Sequence, residues 1–444
     1  MAISASSGVT SGIDYQSLIT QLVGIKRQSV TALEKTKKGF EDTRTAFETL
    51  GKKLTALSTA ASDLKSATGF SVFNTDVTDS TVLAATATSS ASYGTFSVRV
   101  DAIANAHKMA ADGVAADTTV VAAGAGSFSF QVGAGTVQTV AVDATTTITG
   151  LKDAINALNA GVTASVVNDG SPTNPYRLIL SSNTTGTANA ITITQNDTSL
   201  LFSTTLQAAQ DASVNVDGMQ YTRSTNTISD IITGVNLELK SANPAQTVTL
   251  AVSRNTDEIT KKIQAFVDGY NGVVDYIKSK NRYDKDLKVA GEFFGDSVAR
   301  SVWEDLRRTM TGAVAGLPSD MNRLLHAGIT SDSFGKMTLD STKLTDALAS
   351  DFDGVVSLFK DDPASTKGFG GLIYDLADSM TNIVDGRIKN KQDGLSKSIK
   401  RIDMDMIEKE SALALYEDNL RAQFTGLETM LASLKSQSSF LMNL

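Results

Sequence analysis

Residues 395–444 read LSKSIKRIDMDMIEKESALALYEDNLRAQFTGLETMLASLKSQSSFLMNL, a stretch whose apolar residues recur at steps of four and three. The first part of this series consists of Leu395, Ile399, Ile402, Met406, Leu413, Tyr416 and Leu420, with polar Lys409 completing the register. A further step of four leads to Phe424, a stutter that locally unwinds a supercoil, and the series resumes at Leu427, Leu431 and Leu434. The spacing predicts one long helix that needs a helical partner along this face.

A second apolar series near the start of the chain is the predicted partner. It begins with Tyr15, Leu18, Leu22 and Ile25, weakens around Ser29 and Thr36, and continues through Phe40, Phe47, Leu50, Leu54, Leu57, Ala61 and Leu64. Asp14 is a suitable N-cap for this helix. Gly24, Gly39 and Gly51 each cost about 1 kcal/mol relative to alanine, which argues against one unbroken rod. If the two ends pair, the middle of the chain is an insertion between them.

The middle of the chain is predicted to be rich in β-structure. From Phe70 to Leu250, lysine and arginine are scarce and apolar residues alternate with polar ones. Ile148, Leu151, Ile155 and Leu158 interrupt this pattern with helical spacing, which indicates a small α+β module. Asp217-Gly218 indicates a hairpin turn. A calcium loop is the alternative there, but its first and twelfth positions would be serines, Ser213 and Ser224.

Helical spacing returns at Thr256. The predicted helices carry Ile259, Ile263, Phe266, Tyr270, Val274 and Ile277, then Val298, Val302 and Leu306 with Trp303 beside them, then Leu344 and Leu348, and finally Leu372, Leu376, Met380 and Ile383. The expected fold is multidomain α + β, with a discontinuous helical bundle or coiled coil built from both termini and β-rich head domains between them. The expected domains are a terminal leg (1–40 and 412–444) that is disordered in isolation, a helical domain (41–72 and 257–411), a β-rich domain (73–110 and 206–256) and an α+β head domain (111–205).

Composition excludes several classes of function. A net charge of -8 disfavours a general binder of DNA or of anionic membranes, and no apolar run reaches the roughly 18 residues that a membrane span needs. We expect no cleavable signal peptide in residues 1–12. Without cysteine there are no disulfides, thiolate metal sites or thiol nucleophiles. His107 and His326 are far apart in sequence, so no zinc site, catalytic triad or cofactor site is indicated, and we expect no enzyme.

Three blocks of sequence carry a resemblance to a known family. The first is Ser11-Gly-Ile-Asp14 with Leu18 and Leu22; the second is Val214-Asn-Val-Asp-Gly218, Arg223-Ser-Thr-Asn-Thr-Ile228 and Gly234-Val-Asn-Leu-Glu-Leu239; the third runs from Gly295-Asp-Ser297 to Gln423-Phe424 and Ser436-Gln-Ser-Ser439. Together they resemble the bacterial flagellar filament-capping proteins, also called hook-associated proteins type two. Residues 126–193 also resemble the repeat module of flagellins and hook-associated proteins.

The resemblance implies a structural cap at the distal end of the flagellum, outside the cell. Such a cap retains exported flagellin and promotes its folding and polymerisation. The implied partners are further copies in a ring of roughly five, with about four to six possible, together with flagellin, the hook-filament junction protein, the flagellar type III export apparatus and an export chaperone. The residues expected to contact the filament or other copies are Leu18, Leu22, Ile25, Leu413, Tyr416, Leu420, Phe424, Leu427, Leu431 and Leu434. Another filament or junction subunit and a secreted adhesin are the alternatives.

Overall fold

The computed structural model describes residues 12–286, 289–362 and 366–442. Residues 1–11 and 443–444 of the predicted leg lie outside the described residues. The chain divides into two compact units, Met1–Gly69 with Ile259–Leu444, and Phe70–Glu258. A helical unit from both chain ends with a β-rich insertion confirms the expected fold class. The finer division into four domains stays a prediction.

The helical unit is built mainly from α-helices. They are α1 (Tyr15–Leu64), α3 (Thr256–Lys280), α4 (Ser297–Thr311), α5 (Ser341–Ser350), α6 (Phe352–Phe359), α7 (Phe369–Thr381) and α8 (Arg387–Met442). Three short antiparallel hairpins join some of them: β16 (Tyr283–Asp284) with β17 (Val289–Ala290), β18 (Ile329–Ser331) with β19 (Met337–Leu339), and β20 (Asp361–Asp362) with β21 (Thr366–Lys367).

Helix α1 is continuous over 50 residues, so the expected interruption is wrong. As predicted, Asp14 caps it, with its side chain accepting a hydrogen bond from the Ser17 amide at 3.0 Å. A Cβ built on Gly24 or Gly39 meets no atom within 4 Å. Because these glycines lie on open helix surface, they lower helix propensity without breaking the rod.

The helical core lies around the second half of α1. Phe47, Leu50, Leu54 and Leu57 are fully buried there, and the Phe47 ring lies 4.8 Å from that of Phe293. In α3 the predicted face, from Ile259 to Ile277, is buried. In α7 the prediction is right at Met380, which is buried, but Leu372 and Leu376 are only half-buried, and the other buried residues are Phe369, Ile373 and Ala377. The predicted Ile383 lies beyond the end of α7 and is exposed.

The second unit contains one α-helix that lies wholly within it, α2 (Ile148–Ala157), and fifteen strands. The strands are β1 (Phe73–Val77), β2 (Leu83–Ala87), β3 (Gly94–Ala102), β4 (Ala106–Ala110), β5 (Gly126–Val132), β6 (Gln138–Val142), β7 (Val162–Asn168), β8 (Tyr176–Thr185), β9 (Ile191–Asn196), β10 (Thr204–Gln207), β11 (Ala212–Val216), β12 (Met219–Arg223), β13 (Thr227–Ile228), β14 (Val235–Leu239) and β15 (Val248–Arg254).

A five-stranded sheet (β1-β15-β3-β11-β12) and a three-stranded sheet (β13-β14-β2) enclose the first core of this unit. Val98, Val214, Leu237 and Leu250 are fully buried in it. All its pairings are antiparallel, and β11 and β12 form the predicted hairpin. Asp217, at its turn, has φ 51° and Gly218 has φ 86°, values typical of a type I′ turn. The hairpin interpretation is therefore confirmed over the calcium loop.

A four-stranded sheet (β10-β4-β8-β7), a three-stranded sheet (β6-β5-β9) and α2 share the second core. The predicted helical residues Ile148, Leu151 and Ile155 are buried, whereas Leu158 follows the helix and is exposed. Asn156 holds the helix to β7 by exchanging two hydrogen bonds with the Ala164 backbone, at 2.8 and 2.9 Å. This confirms the expected small α+β module.

One ion pair supports the turn between β7 and β8. Arg177 Nε donates to Asp169 Oδ2, and the Ser171 amide donates to the same carboxylate. The guanidinium is the larger cause, and together these donors lower the pKa of Asp169 to about 2. The carboxylate therefore stays ionised in the folded module down to strongly acidic pH.

Candidate interaction surface on the terminal helices

Helices α1 and α8 lie antiparallel along the first half of α1. The Tyr15 ring stacks on Phe424 with 4.8 Å between ring centroids, and Gln16 Oε1 accepts from Arg421 at 3.1 Å. Further along, Arg27 contacts Glu410, so the partner number falls as the α1 number rises. This confirms the sequence-based pairing of the two chain ends.

Charged contacts border this helix pair. Arg27 Nη2 lies 3.2 Å from Glu410 Oε2, and Lys37 Nζ lies 2.7 Å from Asp403 Oδ1. The hydrogen bond to Asp403 raises the pKa of Lys37. Both pairs are partly exposed, so each contributes little free energy and mainly fixes the relative positions of the helices.

The predicted face of α8 is turned toward α1 as far as Phe424. Leu413 and Leu420 are buried, and Tyr416 and Phe424 are half-buried. Beyond Phe424 the same face continues, with Leu431 half-buried but Leu427 48% and Leu434 52% exposed. Since α1 begins at Tyr15, no turn of it within the described residues lies opposite this end of α8.

The predicted face of α1 is right at Tyr15, which is buried, but wrong at the next three residues of the series. Leu18, Leu22 and Ile25 are 40%, 37% and 64% exposed, whereas Ile19 and Val30 are buried. The exposed residues lie roughly a quarter turn around the helix from the buried ones. Their expected contacts with filament subunits or other copies stay a prediction, but they do not form the face that packs against α8.

Sequence reasoning missed Ile19 and Val30 because α1 has two apolar faces here. Tyr15 belongs to the buried face, and the step of four from Tyr15 to Ile19 was the available signal. On α8, Met430 is a further exposed apolar residue outside the predicted series. The exposed apolar side chains of the two helices form two patches. One consists of Leu18, Leu22 and Ile25 on α1, and the other of Leu427, Met430 and Leu434 on α8. These two patches are the candidate interaction surface of the terminal helices.

Both histidines make structural hydrogen bonds. His107 Nδ1 accepts from the Ile191 amide at 3.0 Å, and His326 Nδ1 accepts from the Arg323 amide at 3.4 Å. Among the described residues, no group of three or more His, Asp or Glu side chains could hold a metal ion. In the same part of the chain, no helix combines the length and the apolar character needed to cross a membrane.

Comparison with known families assigns both chain ends. The family models described as Flagellar hook-associated protein 2 N-terminus and C-terminus match residues 11–107 and 209–436. The chain belongs to the flagellar hook-associated protein 2 family. Residues 127–184 match the Flagellin hook IN motif, in the region where the sequence resembles the flagellin repeat module.

Family members from several bacteria align over almost the whole chain. The Flagellar hook-associated protein 2 of Escherichia coli K12 is 30% identical, with 99% of this chain and 98% of the relative covered. The B-type flagellar hook-associated protein 2 of Pseudomonas aeruginosa PAO1 is 27% identical with the same coverage. The crystal structure of the flagellar cap protein FliD D1-D2-D3 domains from Escherichia coli superposes with a TM-score of 0.66 at 28% identity, covering 79% of this chain and 99% of that one.

Proposed function

We propose that this protein caps the distal end of the bacterial flagellar filament, where it retains exported flagellin and promotes its folding and polymerisation. Membership of the hook-associated protein 2 family supports the cap, and the similar Escherichia coli structure is that of a flagellar cap protein. The structural observation that carries the proposal is the end of α8, where an apolar helix face continues beyond its intramolecular partner.

The paired helices act as a leg in this proposal. Leu413, Tyr416, Leu420 and Phe424 hold α8 against α1. Leu427, Leu431 and Leu434 then bind filament subunits, as do Leu18, Leu22 and Ile25 on the adjacent face of α1. An exposed helix stripe of this kind suits helix-in-groove packing. Few buried side chains join the two helices at this end, which allows the leg to release and rebind as subunits are added.

The remaining partners follow from the same position. A ring of roughly five copies at the filament end contacts flagellin during assembly and the hook-filament junction protein before the first flagellin arrives. The chain leaves the cell through the flagellar type III export apparatus, with an export chaperone covering its apolar ends. The absence of cysteine agrees with travel in an unfolded state.

Complementation of a strain that lacks this gene tests the proposal. The unmodified chain should restore swimming and keep monomeric flagellin out of the medium. The double variant Leu427→Lys with Leu434→Lys should leave the protein folded and exported but unable to hold the filament end. The medium of that strain should therefore contain monomeric flagellin. Normal filaments in the uncomplemented deletion strain would refute the cap assignment.

A matched control lies on the other side of the same helix. Thr429 and Ser436 are exposed and project from α8 roughly opposite Leu427 and Leu434. The double variant Thr429→Lys with Ser436→Lys adds the same charge at the same depth and should swim normally. If both double variants fail alike, added charge rather than the apolar face explains the defect.

The expected disorder of the isolated leg has its own measurement. Hydrogen exchange of the purified chain should be fast over residues 1–40 and 412–444 relative to the core around Phe47, because few buried side chains hold this end of the pair. Strong protection over both segments would indicate a static coiled coil instead.

A further inference from the structure

The turn between α7 and α8 carries two solvent-exposed aliphatic side chains. Ile383 and Val384 are 83% and 82% exposed, the largest values among the large apolar side chains of the described residues. The turn is held in one shape: the Val384 amide donates to Asn382 Oδ1 at 2.9 Å, and the Gly386 amide donates to the Asn382 carbonyl at 3.0 Å. Both side chains are β-branched, so immobilising them on binding loses little entropy.

A separate cavity of about 310 Å³ lies between α3, α4 and the β18–β19 hairpin of the same unit. Its apolar lining comes from Val274, Ile277, Trp303 and Phe334, and Phe334 is 64% exposed. The cavity lies at the lower end of the roughly 300–1,000 Å³ typical of ligand pockets, a size suited to one or two side chains rather than to a helix. We call this site the Trp303 groove.

The rim of the Trp303 groove is mainly cationic. Lys278 lines the groove, and its Nζ lies 4.3 Å from the centre of the Phe334 ring. Arg300 also lines the groove, and Glu304 is the one acidic side chain in its lining. A cationic rim favours an apolar ligand that is flanked by a carboxylate. A second copy of this chain, with a net charge of -8, is rich in carboxylates.

The 382–386 turn has this character. Asp385 follows Val384 directly, and its carboxylate is exposed. The turn lies at a different face of α4 from the groove: Arg387, just after the turn, bonds to Ser301 and Asp305 at 3.2 and 2.9 Å. Since α4 turns by about 100° per residue, these two residues and Trp303 project from different sides of the helix.

We propose that Ile383 and Val384 of one copy insert into the Trp303 groove of a second copy, with Asp385 placed against Arg300 or Lys278. A ligand and a receptor site on different faces of one unit form a head-to-tail contact, which generates a ring when the rotation closes. The inference rests on the proposed function only for the expectation that copies of this chain assemble.

Mixed cross-linking tests the contact directly, because the natural chain has no cysteine. One full-length variant carries Val384→Cys and another carries Ser333→Cys in the groove lining. Under oxidising conditions the mixture should give a disulfide-linked dimer that contains one copy of each variant. Replacing Ser333→Cys by Ser436→Cys, at the far end of α8, should give no such dimer. Dimers of Val384→Cys with itself alone, or none at concentrations where the chain associates, would overturn the proposal.

Trp303 gives a second readout, since it is the single tryptophan of the chain. Its emission should shift to shorter wavelength as the protein concentration rises. Ile383→Asp with Val384→Asp should abolish this shift and weaken self-association by roughly tenfold or more, with an unchanged unfolding midpoint because both side chains are exposed. An emission shift seen only after flagellin filaments are added would assign the groove to a filament subunit and overturn the proposal.

Exchanging the charges across the contact distinguishes it from nonspecific association. Asp385→Arg alone should weaken association, and Asp385→Arg combined with Arg300→Glu should restore much of it. No restoration, together with failed mixed cross-linking, would refute the contact even if the chain still caps filaments. Conversely, flagellin loss from a strain carrying the unmodified chain would refute the cap and leave the cross-linking result intact.

Discussion

Two leucines that lie two turns apart on the same face of α8 separate the two roles of the leg. Leu420 is buried against α1, whereas Leu427 is 48% exposed. Leu420→Ala should open the helix pair, and Leu427→Ala should leave the pair closed but weaken attachment to the filament end. Both changes remove the same atoms from the same helix, so each variant is the control for the other.

The magnitude follows from burial. Leu420→Ala removes the equivalent of nearly three buried methylene groups, about 2 kcal/mol at roughly 0.8 kcal/mol each, near the low end of the range for core leucines. Only two helices meet here, so the site can partly collapse. In the free chain Leu427→Ala should change stability by less than about 0.5 kcal/mol, because much of the side chain is already in water.

Hydrogen exchange measured by mass spectrometry converts these values into rates. A loss of 2 kcal/mol in the opening free energy should speed amide exchange by roughly 30-fold in the stretch of α1 from Tyr15 to Arg27 and in α8 from Glu410 to Phe424. In Leu427→Ala these rates should match those of the unmodified chain. Attachment is measured separately, as the fraction of isolated filaments that carry the protein at one end.

Two results would refute the reasoning. Unchanged exchange in Leu420→Ala, where the amides of the unmodified chain exchange faster than the core around Phe47 but slower than an unstructured peptide, would show that Leu420 does not hold the helices together. Full attachment of Leu427→Ala, with loss of attachment in Leu420→Ala, would show that the pair itself binds the filament and that the exposed end of α8 does not.

Three further predictions concern stability. Gly24→Ala and Gly39→Ala should each stabilise the helical unit by about 1 kcal/mol, because a Cβ at either position meets no atom within 4 Å; a lower unfolding midpoint by circular dichroism would contradict this. The pKa of Asp169 is lowered to about 2, so its contribution is complete above the unfolded value near 4 and is lost as the pH falls toward 2. Asp169→Asn should therefore flatten the pH dependence of thermal unfolding in that window, and an unchanged slope would exclude this carboxylate. Burial raises the pKa of Tyr270 to about 12, and its hydroxyl donates to the Gly335 carbonyl at 2.9 Å. Tyr270→Phe should cost about 1–2 kcal/mol in urea unfolding, and no loss would mean that this bond adds nothing.

The partner face of the C-terminal helix could be predicted from sequence because one apolar series recurs regularly along most of its length. Leu395, Ile399, Ile402, Leu413 and Leu420 are all buried, as their spacing predicts. Periodicity does not show where the partner helix begins. Only the structure therefore shows that α1 no longer packs against α8 beyond Phe424.

The N-terminal helix shows the opposite situation. Leu18, Leu22 and Ile25 fit a helical face as well as Tyr15, Ile19 and Val30 do, and only the position of α8 decides which set is buried. The prediction began correctly with Tyr15 but then followed the two leucines and Ile25, which lie on the exposed face. Strand pairing was similarly inaccessible, since the partner of β1 is β15, and Phe73 lies opposite Arg254 far along the chain.

The discontinuity of the helical unit sets an order of folding. Its parts are the first 69 residues and the residues from 259 onward, so it cannot close until both have been delivered to the same compartment. The inserted unit is one continuous segment with its own cores and can fold earlier. Joining distant ends requires a large loop closure and slows folding. During this interval the apolar residues of α1 and α8 are not yet packed against each other and are exposed to solvent. This is the stage at which the chain is most prone to aggregate or to be bound by another protein.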